Sequence, residues 1–190
     1  MSDCKGSRCL PIIPRRSILK LALGGVAAGV LSPPIVLGQG DPATMPPQEG
    51  DLLVKMVDAG ARPLAAADIA PGAPPVSAWP MDPSSKVVRK GNRLNAVLLI
   101  RFDPPLAGAT AAGVVAFSGL CTHAGCDVNQ WVPETGIMTC DCHQSEFDAK
   151  DGGKVVGGPA SRALPPLSLT LNGDTLVVAK PFAAAIRFDE

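Results

Sequence analysis

Hydrophobic residues in this chain gather in short runs with little helical periodicity, and the runs predict strands rather than helices. Leu52–Val57 predicts a first strand, Leu94–Phe102 a longer one with a dense apolar centre, and Val114–Ser118 a third. The turn Pro133-Glu134-Thr135-Gly136 brings the chain back through Ile137–Thr139. Leu167, Leu169 and Leu171 alternate with polar residues, Asn172-Gly173 turns the chain, and Leu176–Val178 returns, which predicts a hairpin. Leu64–Ile69 predicts a single helical turn before Pro71. Pro71–Pro83 reads as an extended loop, with Trp79 packing down on its own domain.

Twenty prolines and twenty glycines strengthen the expectation of a loop-rich, all-β body. Seventeen basic and seventeen acidic residues leave no net charge, so composition offers no electrostatic case for nucleic acid. Ahead of the body, Pro14-Arg15-Arg16-Ser17-Ile18-Leu19-Lys20 precedes an Ala/Gly-rich apolar run from Leu21 to Leu31. A twin arginine before a moderately apolar segment resembles a bacterial twin-arginine export signal. Residues 1–40 are therefore expected to be such a signal, either cleaved or kept as a membrane anchor. Residues 41–50, with Met45-Pro46-Pro47, are expected to be a stiff linker, and 51–190 one domain. Cys4 and Cys9 precede the arginines and are given no role.

The candidate chemistry lies in two short boxes, Cys121-Thr122-His123-Ala124-Gly125-Cys126 and Cys140-Asp141-Cys142-His143-Gln144-Ser145. They give C-x-H, sixteen intervening residues and C-x-x-H, with an extra cysteine in each box. The chain has two histidines, and both are here. Two thiolates and two imidazoles converging from two loops suit a [2Fe–2S] centre with mixed ligands. A tetrahedral Cys2His2 zinc site uses the same ligand types and is the main alternative.

The boxes resemble those of the Rieske proteins, specifically the disulfide-bearing branch. That branch includes the Rieske subunits of cytochrome bc complexes and the small subunit of arsenite oxidase. The first box is complete; the second carries Asp141 where the family usually has proline and Gln144 where it usually has glycine. The resemblance implies one Rieske [2Fe–2S] cluster held by Cys121, His123, Cys140 and His143, and a disulfide between Cys126 and Cys142. It gives Ser145 a hydrogen bond to a bridging sulfide, and places Phe147 where bc-type proteins usually have a tyrosine. Loss of that donor predicts a potential below that of tyrosine-bearing relatives. Gly158 and Pro159 resemble the proline-containing third loop that covers the cluster.

The implied fold is the Rieske fold, all-β, with stacked antiparallel sheets and a cluster-binding subdomain inserted at about residues 117–160. The implied function is an exported electron-transfer subunit of a multi-subunit oxidoreductase, on the periplasmic side of the inner membrane and either soluble or N-terminally anchored. It would pass electrons from a quinol or a large dehydrogenase subunit to a c-type cytochrome. No stand-alone catalytic site is visible. An oxygenase component is the alternative from another class, but its mononuclear iron site needs histidines this chain does not have.

Overall fold

The computed structural model describes residues 40–110 and 112–189, so the expected export segment lies, except for Gly40, outside the described residues. Ten strands fall into two antiparallel sheets. The first contains β1 (Leu52–Lys55), β2 (Val76–Met81), β3 (Val97–Arg101), β4 (Val114–Ser118), β9 (Leu167–Asn172) and β10 (Thr175–Phe182), in the order β4-β3-β2-β1-β10-β9. Its two ends approach each other: Phe117 bridges Pro166, and Ser118 N–H donates to Pro165 O at 2.9 Å. The second is a four-stranded meander of β5 (Val128–Val132), β6 (Ile137–Cys140), β7 (Ser145–Asp148) and β8 (Lys154–Gly157). In chain order it is inserted between β4 and β9.

β3 explains how the sheets stack. Val97, Leu98, Leu99 and Ile100 are all buried, although a strand facing water on one side would alternate. Val97 and Leu99 enter one core with Leu53, Leu64, Ile69 and Leu176. Leu98 and Ile100 point the opposite way, into a second core with Phe117, Met138, Phe147 and Leu164. The run of four apolar residues thus serves two cores at once. The second core also contains Cys121 and Cys140, so it forms the floor of both boxes.

The expected strands appear at β1, β3, β4, β6 and the β9–β10 hairpin, and the expected helical turn is a 3-10 turn over Ala66–Asp68. One expectation fails. Pro71–Pro83 is not a loop throughout, because β2 runs through it between β1 and β3. Pro80 is tolerated there because its missing N–H falls on the edge where β3 pairing has already ended at Ala78↔Val97, the edge on which its carbonyl accepts from Arg89 N–H (2.8 Å). Trp79 is half-buried on β2, opposite Val54.

Residues 41–50 lie against the body. Arg89 Nη1–H donates to Pro42 O (3.0 Å), Asn95 Nδ2–H to Met45 O (2.7 Å) and Gly50 N–H to Val178 O (2.9 Å). Arg89 and Asp51 are buried together in a two-point ion pair, Nε–Oδ2 2.6 Å and Nη2–Oδ1 3.0 Å. Among the described residues no helix is long and apolar enough to cross a membrane.

Candidate metal centre

Both boxes are tight turns built to one plan. In the first, Gly125 N–H donates to Cys121 O at 2.9 Å, and Gly125 has φ +73°. In the second, Gln144 N–H donates to Cys140 O at 3.0 Å, and Gln144 has φ +59°. The second box is the turn of a hairpin, since Cys140 ends β6, Ser145 opens β7, and the two are paired. The first is closed at its base by the Leu120–Asp127 bridge and by Cys121 N–H to Cys126 O at 2.8 Å. Each turn leaves its first cysteine in the core and lifts its histidine toward solvent.

The four candidate ligands lie on these two turns, two of them buried and two closer to solvent. Cys121 and Cys140 are free thiols, each 1% exposed. Burial, first of all, pushes the Cys140 thiol above its ordinary pKa and the adjacent Cys121 thiol adds to that, while backbone N–H groups of Cys142 and His143 donate to its sulfur and pull the other way. His123 and His143 meet edge to face, with ring centroids 4.7 Å apart. His123 is half-buried and His143 exposed. His123 Nδ1 is buried without a hydrogen-bond partner, a costly state for a polar atom unless something coordinates it. Two buried sulfurs, two adjacent imidazoles and one orphaned ring nitrogen fit a mixed-ligand iron–sulfur centre.

Cys126 and Cys142 form a disulfide that joins the two boxes, with Cα atoms 6.4 Å apart. Their sulfurs lie within 4.8 Å of the Cys140 sulfur. Tied up in the disulfide, they offer no thiolate to a metal and leave Cys121 and Cys140 as the cysteine ligands on offer among the described residues.

A third loop, residues 158–162, approaches from β8. Gly158 has φ +75°, and a Cβ there would sit 2.3 Å from Gln144 O and 2.5 Å from Ser145 Cα. Only glycine allows that approach. Ser145 is fully buried, and its Oγ accepts from Ala160 N–H (3.2 Å), which leaves the hydroxyl hydrogen to donate elsewhere. Phe147 is also fully buried, paired with Met138 and Val155, and brings no polar atom to the site. Pro159 borders a shallow cleft beside His123. Asp141 is exposed, and its carboxylate accepts from Asn129 Nδ2 (2.8 Å) and Gln130 Nε2 (3.2 Å).

Sequence reasoning missed the segment after β10. Asp189 N–H is shared between Thr122 O and His123 O, each at 2.9 Å. The Asp189 carboxylate accepts from Ser161 N–H (2.8 Å) and Ser161 Oγ (2.6 Å) and pairs with Arg162 Nη2 (2.6 Å). The two Ser161 hydrogen bonds, followed by the Arg162 charge, hold the Asp189 carboxyl below its ordinary pKa. No motif around Arg187-Phe188-Asp189 signals this contact.

Residues 79–172 match the Rieske [2Fe-2S] domain family, a stretch that includes both boxes and the third loop. The putative respiratory nitrate reductase subunit Rieske of Haloferax mediterranei is 48% identical over 68 residues, 36% of this chain and 30% of that protein. The cytochrome bc1 complex Rieske iron-sulfur subunit of Streptomyces lividans is 38% identical over 85 residues, 42% of this chain and 50% of that protein. The match therefore spans half or less of these curated relatives. Among solved structures, the cyanobacterial plasma membrane Rieske protein from Synechocystis is 30% identical, aligned over 54% of this chain and 84% of its own, with a TM-score of 0.37. The chain belongs to the Rieske [2Fe–2S] family, in its disulfide-bearing form, and its cofactor is a Rieske [2Fe–2S] cluster.

Proposed function

We propose that Cys121 and Cys140 bind one iron and His123 and His143 the other, and that the chain is an exported electron-transfer subunit. It takes electrons from a quinol or a large dehydrogenase subunit and gives them to a c-type cytochrome. The observation that carries the reading is the pairing of two buried thiols with two histidine rings 4.7 Å apart at the surface. Neutral imidazoles in place of two thiolates supply a centre that accepts an electron far more readily than an all-cysteine cluster. The buried side holds the anionic ligands away from water. The exposed His143 ring offers the partner its route of approach, and the backbone donors to Cys140 temper the charge on its sulfur. Phe147 supplies no such donor, which favours a potential below that of tyrosine-bearing relatives and still far above that of ferredoxins.

Residues 1–40 complete the reading as a twin-arginine signal or retained anchor, and about 117–160 as the cluster-binding subdomain. An oxidising compartment agrees with the Cys126–Cys142 disulfide.

The deciding experiment is electron paramagnetic resonance of the purified chain, reduced separately with ascorbate and with dithionite. A Rieske-type signal with ascorbate supports delivery to a cytochrome. A signal with dithionite alone points to a low-potential, ferredoxin-like partner, and stoichiometric zinc with no signal overturns the reading. Cys121→Ser is expected to abolish the signal; a wild-type spectrum would show that the ligands are wrongly assigned.

A further inference from the structure

The centre is walled by more than the two boxes and the third loop. The short segment that follows β10 crosses from the first box to the third loop and is bonded to both. On the first box it gives Asp189 N–H to the Thr122 and His123 carbonyls. Phe188 packs against the same box: a Cβ at Gly125 would meet the Phe188 ring at 2.9 Å, closer than side chains pack. On the third loop the Asp189 carboxylate takes both Ser161 donors, and Arg162 Nη2 reaches the Asp189 carboxylate and, at 2.7 Å, Phe188 O. The Asp189 side chain is only 19% exposed although it lies outside every strand. A freely moving segment would not hold a carboxylate, most of it shielded from water, among three donors.

We propose that Phe188 and Asp189 are positioning residues for the cluster, fixing the His123 loop against the third loop and so setting how His123 presents its imidazole to iron. This rests on the assignment of His123 as a ligand. The link runs through the His123 backbone itself, whose carbonyl accepts from Asp189 N–H while its Nδ1 waits unpartnered. Partners that orient a ligand from behind usually change metal affinity by about 10–100-fold when removed. The two cysteines are anchored in the second core, which includes no residue of this segment. Disruption should therefore act on the histidine side of the centre and leave the sulfur side intact.

The test uses the full chain with Asp189→Ala, Asp189→Asn and Phe188→Ala. Each is scored by the g-values of the reduced cluster, its midpoint potential, and the rate at which a chelator bleaches it. Asp189→Ala is expected to shift the g-values and the potential and to hasten bleaching about tenfold. Asp189→Asn keeps an oxygen for Ser161 and should restore much of the wild-type spectrum. Phe188→Ala should move the same quantities in the same direction. Wild-type g-values, potential and bleaching rate in all three variants would overturn the proposal. So would faster bleaching with an unshifted spectrum and potential and no rescue by asparagine, since general loosening alone gives that result. A wild-type chain without a Rieske spectrum would instead sink the ligand assignment beneath it.

Discussion

Gln144 occupies, in the second box, the place that Gly125 takes in the first. Both lie in the left-handed region, at φ +59° and +73°, four residues after their cysteine. A side chain with a Cβ there costs about 1–2 kcal/mol. Gln144 recovers little of this, through one exposed hydrogen bond from Nε2 to Asp141 O at 3.1 Å. Gln144→Gly is therefore expected to stabilise the protein by about 1 kcal/mol, raising the thermal midpoint by roughly 2–4 °C; calorimetry of the two proteins checks it, and an unchanged or lower midpoint counts against the strain. Gly158→Ala should do the reverse. Its methyl would drive into the Gln144 carbonyl and Ser145 Cα, which are backbone atoms unable to step aside. The expected outcome is a chain that folds its first sheet but fails to retain iron, read as loss of visible absorbance with β-sheet circular dichroism preserved.

At the scale of elements, the first sheet depends on a buried link that joins distant parts of the chain. Asp51, just before β1, and Arg89, after β2, are 2% and 4% exposed and bonded at two points. Asp51→Asn should lower unfolding stability by about 3 kcal/mol, because it leaves the buried guanidinium with only the longer charge contact to Asp82 Oδ2 at 4.0 Å. Replacing both residues with apolar ones of similar volume should cost much less, and denaturant titration of the single and paired variants compares the two. Partners thirty-eight positions apart carry no local signal, which is also why β2 was unreadable. Pro71–Pro83 looks like loop because six of its residues are proline or glycine, whereas sheet pairing on both flanks and Pro80 at a spent edge make it a strand. β5 and β7 escaped for a related reason: Asn129, Gln130 and Glu146 are exposed, and of the two strands only Val128, Trp131 and Phe147 enter the second core. The apolar run of β3, the Asn172-Gly173 hairpin and the two boxes were legible because each carries its own local rule. With just two histidines in the chain, the ligand candidates were open to reading. Phe188 and Asp189 were not, since what they touch is set by where β10 delivers them.

The whole molecule holds its centre with three loops tied in pairs. The Cys126–Cys142 disulfide joins the first box to the second. Ser145 Oγ and the close approach of Gly158 join the second box to the third loop. Asp189 joins the third loop to the first box, and the Thr122 hydroxyl adds a bond to Arg162 O along the same edge. In such a triangle, cutting one edge leaves every loop reached through the other two. Cutting two edges that meet at one loop releases that loop. The disulfide and the Asp189 contacts meet at the first box, which carries Cys121 and His123. The bridge spans 16 residues, a loop whose closure is worth about 3 kcal/mol against the unfolded chain, yet its larger role lies in this geometry. Cys126→Ser with Cys142→Ser should thus assemble the cluster and lose it several-fold faster to a chelator. Combined with Asp189→Ala, which leaves the Thr122 hydroxyl bond to carry most of the remaining edge, the loss should exceed the product of the separate effects, since sites that share a loop do not act independently. Bleaching rates for the four proteins decide the matter. If the rate ratios simply multiply, the loops are held separately and the triangle is wrong; if the combined variant exceeds that product, its edges support one another.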